Sequence, residues 1–376
     1  MKSIKMVDLK GQYDAIKLEL GASLDSVLNT TSFINGPAVK EFQSNLQKYL
    51  NVKHVIPCAN GTDALQLALM SLNLHPGDEI ITTNFTFAST AEVVQLLGLK
   101  LRLVDIDEET FNIDPSSIEK AITSKTKAII PVHLFGQPAE MEKIVEIAQK
   151  YKLQIIEDNA QALGAAYIFK DGKKKKTGTI GHIGTTSFFP SKNLGAYGDG
   201  GAIFTDNDDL AQKIRILSNH GMDKRYYHDL VGLNSRLDSI QAAVLDVKLK
   251  YLDNYNEKRR NSAIRYSNNF KNINNVITPN LPSDPQGHVF HQYTLRILDS
   301  KRDLLTEYLA KNEIPFGIYY PVPLHNQKAY YSAEVDNKFF PVTIRVVNEV
   351  VSLPMHTELS SDQIDYISEK IIKFFS

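Results

Sequence analysis

Between residues 50 and 206 the sequence repeats one pattern, a short apolar run followed by a stretch of helical periodicity. The apolar runs fall at 54–58, 79–83, 99–104, 128–132 and 154–157. Most are rich in Ile and Val without clear alternation, as strands covered on both faces should be. Helical patterns lie between them at 64–72, 88–97, 116–121 and 141–151. Pro115 stands before the third, where a missing N–H costs nothing, and His75-Pro-Gly closes the first. Strands alternating with helices predict an α/β fold with a mostly parallel sheet flanked by helices.

Beyond residue 184 the pattern changes. Runs at 185–189 and 201–205 read as two strands around a glycine-rich turn. A long amphipathic stretch, about 237–270, carries Ile240, Val244, Val247 and Leu252 at near-helical spacing and predicts one linking helix. The remainder mixes Pro-bounded strands with helical patterns at 302–311 and 361–374, a smaller C-terminal α+β domain. A chain of 376 residues is long enough for two units, taken as 1–247 and 248–376.

Lys and Arg number 42 against 43 Asp and Glu, so net charge gives no reason to expect nucleic acid or an anionic membrane. The run Lys173 to Lys176, bracketed by Gly172 and Gly178, reads as a solvated loop. One cysteine, Cys58, excludes an internal disulfide and suits a reducing compartment. Its place at a strand end is that of a small buried apolar residue. The first residues lack the apolar core of a signal peptide, and no run of ~18 apolar residues occurs. The expectation is a soluble, cytoplasmic enzyme.

Three segments carry chemistry. In Cys58-Ala-Asn-Gly-Thr-Asp-Ala-Leu a strand gives way to a helix, Gly61 allows close backbone approach, and the first-turn N–H groups form an anion site. Taken alone, capping by Asn60, Thr62 or Asp63 explains the same residues better. In Ile155-Ile-Glu-Asp-Asn-Ala-Gln-Ala a strand delivers Asp158 at its carboxyl end, where open α/β sheets bind ligands. Strand geometry turns Glu157 the other way. In the segment from Thr185 to Ala202, Lys192 lies between an apolar strand and a glycine-rich loop. There it can lose its proton and act as an imine-forming nucleophile, or be an ordinary surface lysine. The glycines do not match a dinucleotide fingerprint. His288 and His291 have a metal-compatible spacing but no acidic or cysteine partner, so no metal is expected.

Taken in order, Asn60-Gly-Thr-Asp-Ala-Leu, Glu157-Asp-Asn-Ala-Gln, Ser187-Phe-Phe-Pro-Ser-Lys and Gly198-Asp-Gly-Gly-Ala resemble the DegT/DnrJ/EryC1/StrS family of sugar aminotransferases. Matching segments run from Val7-Asp-Leu to Ser352-Leu-Pro-Met-His. The resemblance implies the type I fold of pyridoxal 5'-phosphate (PLP) transferases, with pyridoxamine phosphate (PMP) as the alternate cofactor form. It implies that Lys192 forms the Schiff base and shuttles protons, that Asp158 faces the pyridine nitrogen, and that Gln161 approaches the phenolic oxygen. Phe87 would stack on the ring, although core packing explains such an aromatic as readily. Gly61, Thr62 and Ser187 would hold the phosphate, with Asp63 among the cofactor contacts. Asn234, in Gly232-Leu-Asn-Ser-Arg-Leu-Asp, would reach the phosphate of the neighbouring subunit, which implies a homodimer with shared active sites. Arg236, His291, Tyr319, Tyr320 and His325 fall where relatives bind the sugar nucleotide.

Relatives that dehydrate sugars carry histidine in place of Lys192, so aminotransfer is implied, with L-glutamate as the donor the family suggests. The wording around Lys192 and Asn234 is most similar to enzymes that aminate UDP-2-acetamido-3-keto-glucuronic acid. Such products serve lipopolysaccharide, O-antigen or other amino-sugar biosynthesis. Many relatives read His-Tyr-Pro where this chain has Tyr319-Tyr-Pro, which leaves a dTDP-linked 3- or 4-keto-6-deoxyhexose as an alternative acceptor. A PLP lyase or dehydratase, and a non-catalytic regulatory protein of the same fold, are the rivals from other classes.

Overall fold

A strand with no polar face must be covered on both sides, and the apolar runs meet that demand by pairing between two layers of helices. In the computed structural model, which describes residues 3–331 and 335–376, they form β1 (His54–Cys58), β2 (Glu79–Thr83), β3 (Lys100–Val104), β4 (Thr126–Ile130) and β5 (Gln154–Asp158). A small hairpin, β6 (Ala166–Ile168) and β7 (Lys174–Lys176), follows and takes up part of the lysine run. Then β8 (Ile183–Ser187) and β9 (Gly201–Thr205) complete a seven-stranded sheet of order β1-β9-β8-β5-β4-β2-β3. Neighbours from β8 to β3 pair in parallel, whereas β9 runs antiparallel to both β8 and β1. The chain turns back between β8 and β9 without a crossover helix, and that connection permits only antiparallel pairing.

Successive isoleucines of one strand serve opposite layers. Ile56, Ile80, Ile130 and Ile156 pack with α3 (Gly61–Ser71), α4 (Ser89–Leu96) and α7 (Asp208–Leu217). Ile81, Ile129 and Ile155 pack instead toward α5 (Pro115–Ala121) and α6 (Met141–Tyr151). On that second face Val55 and Phe204 meet α2 (Pro37–Leu50) and α8 (Ser239–Leu249). Two helices occupy the first fifty residues, α1 (Leu9–Thr30) and α2. Val39, Phe42, Leu46 and Leu50 make one buried stripe of α2.

The expected single helix over 237–270 is two, α8 and α9 (Leu252–Phe270). The break lies at Lys250 and Tyr251, where the Tyr251 N–H bonds to Lys248 O at 3.0 Å, a tightened i→i+3 turn. It redirects burial: Leu249 and Leu252 still pack with Phe42 and Phe204, while Ala263, Tyr266 and Phe270 enter a separate core. That core covers an antiparallel sheet of β10 (Val276–Ile277), β11 (Tyr293–Ile297) and β12 (Val350–Leu353) with α10 (Arg302–Lys311) and α12 (Ser361–Phe375). The last helix, α11 (Pro341–Glu349), packs Val346 and Val347 against Phe85, Phe111 and Phe135 of the larger unit. The expected strand 185–189 ends earlier, at Ser187, because Phe188 turns into the core and Pro190 has no N–H to offer a ladder.

Candidate active site

The carboxyl ends of β1, β2, β5 and β8 open on one side of the sheet, where Asp158 of β5, Ser187 of β8 and the segments that follow β1 and β2 line a cavity of about 660 Å³. The segments at His291 and at Tyr319 and Tyr320 close it from the smaller unit.

At the head of α3, Asn60 caps the helix by accepting the Asp63 N–H at 2.8 Å. The N–H groups of Gly61 and Thr62 have no acceptor inside the helix. A Cβ at Gly61 would lie 2.6 Å from Ser187 Cβ, so only glycine lets these two segments touch. Thr62 and Ser89 hydroxyls meet at 2.8 Å beside them. Backbone donors, three hydroxyls and the positive end of a helix dipole thus surround a niche suited to a phosphate.

Asp158 ends β5 almost fully buried. Its Oδ2 accepts the Thr90 hydroxyl at 2.8 Å and its Oδ1 the Ala160 N–H at 3.2 Å. Glu157 faces the opposite way, as strand alternation requires. Its Oε1 accepts N–H groups of Ile180 and Gly181, both at 2.6 Å, and its Oε2 accepts Gly178 N–H at 2.8 Å. His133 Nδ1 accepts the Ala139 N–H, so its Nε2 carries the proton and donates to Glu157 at 2.8 Å.

Lys192 lines the same cavity as Asp158. Burial disfavours its ammonium and lowers its pKa to about 8, with the Asp158 charge opposing only part of the drop. His291 is held well below the usual imidazole range by burial, and by the positive charges of Lys192 and Arg259. Its Nδ1 is buried with no hydrogen-bond partner. Phe87, 58% exposed, offers a ring face to the cavity and is no core residue. Gln161 takes the Phe135 N–H on Oε1 at 2.8 Å and donates from Nε2 to the Tyr320 hydroxyl at 3.1 Å.

Cavity-lining residues therefore include Gly61, Thr62, Phe87, Asp158, Gln161, Ser187, Lys192, His291, Tyr319 and Tyr320. Four others lie elsewhere in this chain. Asp63 lies in the first turn of α3, donates its N–H to the Asn60 cap and places its charge near Cys58. Asn234 is exposed and bridges to Asn219, and Arg236 donates to Asn219 Oδ1 at 3.2 Å. His325 is buried with both ring nitrogens engaged, Nδ1 by Asn84 at 2.7 Å and Nε2 by Asn337 at 2.7 Å. It fastens the turn at 324–326 to the end of β2. Thr90, Ser89, Phe135 and Gln292 line the cavity without having been singled out in the sequence. Ser89 and Thr90, two hydroxyls opening a helix just after Phe87, were the available signal.

A lysine of this kind is built to bond a carbonyl carbon, which makes the chain an enzyme of amino groups and carbonyls. Residues 14–372 match the DegT/DnrJ/EryC1/StrS aminotransferase family, and the chain belongs to it. It is 43% identical to the UDP-2-acetamido-2-deoxy-3-oxo-D-glucuronate aminotransferase of Pseudomonas aeruginosa, over 97% of this chain and 98% of that one. It is 45% identical to a pleiotropic regulatory protein of Geobacillus stearothermophilus, over 99% of each. Among solved structures it resembles NtdA of Bacillus subtilis with bound cofactor PMP (TM-score 0.87, 33% identity, covering 95% of this chain and 81% of that one).

Proposed function

We propose that this chain transfers an amino group from an amino acid, L-glutamate, to a nucleotide-linked keto-sugar, with UDP-2-acetamido-3-keto-glucuronic acid as the first acceptor to test. The observation that carries this reading is the convergence of Lys192 and Asp158 in one cavity beside the Gly61–Ser187 niche. These residues fit PLP: a niche for its phosphate, an amine for its aldehyde, a carboxylate for its ring nitrogen and an open aromatic face at Phe87. When bound, PLP supplies an electron sink that lets a C–H bond next to nitrogen break heterolytically.

The protein's own contributions follow from its geometry. Gly61, Thr62 and Ser187 anchor the phosphate and fix the distance to the sheet. Thr90 and Ala160 orient the Asp158 carboxylate, which holds a proton on the ring nitrogen. Lys192 Nζ, whose pKa burial lowers to about 8, would as a free amine take a proton from one carbon and return it to the carbon on the other side of the nitrogen. Gln161 and Tyr320 form a hydrogen-bonded wall, with the Phe87 ring 6.3 Å from that of Tyr320.

A homodimer with shared sites belongs to the same reading. Asn234 and Arg236 lie outside their own cavity, held at Asn219, where a neighbour's site could meet them. Leu18, 84% exposed, and Val231, 90% exposed, mark apolar surface that a second copy would cover. Division into two units, read from the sequence as 1–247 and 248–376, is supported by the separate core of the small sheet, with Leu249 and Leu252 still packed in the larger one. A cytoplasmic place, ahead of surface-glycan assembly, completes the proposal. Tyr319 at the cavity edge favours testing dTDP-linked 3- and 4-keto-6-deoxyhexoses as the second acceptor class.

The 45% identity to a protein named as a regulator makes the catalytic test decisive. Purified protein with PLP should develop a visible absorbance band, lose it with L-glutamate and release 2-oxoglutarate. Lys192→Ala should lower turnover at least ~10²-fold. A wild-type chain that binds PLP without consuming any amino donor would sink the aminotransferase reading. Comparing UDP- and dTDP-linked keto-sugars then fixes the acceptor.

A further inference from the structure

One turn of α9 connects the segments that carry Gln161, Lys192 and His291. Asn256 and Arg259, both buried, point from this helix into the space between the two cores. Asn256 Oδ1 accepts the Asn193 side-chain N–H at 2.7 Å, and Asn193 is the residue after Lys192. The same Asn193 amide donates to Val289 O at 2.9 Å, two residues before His291. Asn256 Nδ2 reaches Leu163 O at 3.3 Å, two residues after Gln161. Arg259 Nη1 donates to Phe290 O at 3.2 Å, His291 O at 3.3 Å and Met355 O at 3.0 Å. No carboxylate pairs with Arg259 among the described residues.

A buried guanidinium without a counter-ion is costly to desolvate, and surrounding carbonyls compensate it only while they stay in place. The three carbonyls lie just beyond the β11–β12 pairing, which ends at Tyr293 and Leu353, so the cation holds the two chain segments where the ladder has stopped. The charge also reaches His291 directly, where it adds to that of Lys192 against protonation of the imidazole.

We infer that Asn256 and Arg259 are positioning residues for amino transfer, holding the Lys192 and His291 segments in fixed register across the cavity. Neither lines the cavity itself: Arg259 acts through the backbone of His291, which does, and Asn256 through Asn193, next to Lys192. α9 begins in the core of the large sheet and ends in that of the small one. The clamp therefore also ties the geometry around Lys192 to the seating of the smaller unit. The inference rests on the aminotransferase reading, and the test separates the two.

In the holoenzyme, Asn256→Ala and Arg259→Met are compared with wild type in kcat, KM for the amino donor, melting temperature and the pH midpoint of the visible cofactor band. Misplacement of reacting groups should lower kcat by about 10-fold or more with KM changed less than about 2-fold. The band midpoint should move by roughly half a pH unit or more, since distances around Lys192 change and Arg259→Met removes a charge beside His291. Arg259→Lys, which returns the charge to the carbonyls, should restore the midpoint and most of kcat. A fall in melting temperature alone, with kcat and midpoint at wild-type values, overturns the inference. If Arg259→Met does not fold, Asn256→Ala and Arg259→Lys decide by the same readouts. Absence of any band in wild type would instead strike the aminotransferase reading.

Discussion

Burial strips water from the Lys192 ammonium, and Asp158 returns only part of the lost stabilisation, so its pKa falls from 10.5 to about 8. Only the neutral amine attacks an aldehyde. The rate at which apoprotein captures PLP should therefore climb about tenfold per pH unit below 8 and level off above it. Stopped-flow absorbance between pH 6 and 9.5 measures this, and a flat profile contradicts the burial argument. Thr90→Val removes a hydrogen bond to a charged group, worth about 1.5–3 kcal/mol, and should weaken PLP retention in equilibrium dialysis while leaving Lys192 able to bond it. At this scale Lys192 and Asp158 were legible because each stands in a dense local motif. His325 was not, since the partner that pins it, Asn84, lies 241 residues away. Asn234 could be placed from sequence only by likeness to relatives, since its side chain does not enter this chain's own cavity.

Among the elements, the loop between β8 and β9 depends on α8. Lys248, 1% exposed, donates to Gly195 O at 2.6 Å and stands over the Tyr197 ring, while Gln241 accepts the Tyr197 N–H at 2.8 Å. Burial lowers the Lys248 pKa to about 8. The folded state thus binds this proton less tightly than the unfolded chain, so its cost is full below pH 8 and fades as pH rises toward 10.5. Relative to wild type, Lys248→Met should be at its most stable below pH 8, and the difference should shrink through that window in chemical denaturation. A pH-independent difference would show that the ammonium is not the cause. The strands of the large sheet were legible because β-branched runs have few other uses. The α8–α9 break was not, since Leu249 and Leu252 keep helical spacing across it while their backbone tightens. The stripe of α2, Val39, Phe42, Leu46 and Leu50, was present in the sequence at ordinary helical spacing.

Across the whole molecule, Phe42 shows how far packing extends beneath the site. It is fully buried, edge-on to Phe188 at 5.4 Å, and Phe188 begins the segment that carries Lys192. Phe42→Ala should cost about 3–5 kcal/mol of stability, read as a lowered denaturant midpoint, and should loosen that segment as well. The cavity draws on Asn60 at one extreme and Tyr320 at the other, with further contributions near residues 86–90, 132–135, 158–161, 187–199 and 291–292. During synthesis, then, no partial product of the ribosome owns a working pocket. The polypeptide must be almost entirely translated before a cofactor has somewhere to sit, and the nascent enzyme passes its early life as bare protein, dependent on its hydrophobic layers alone.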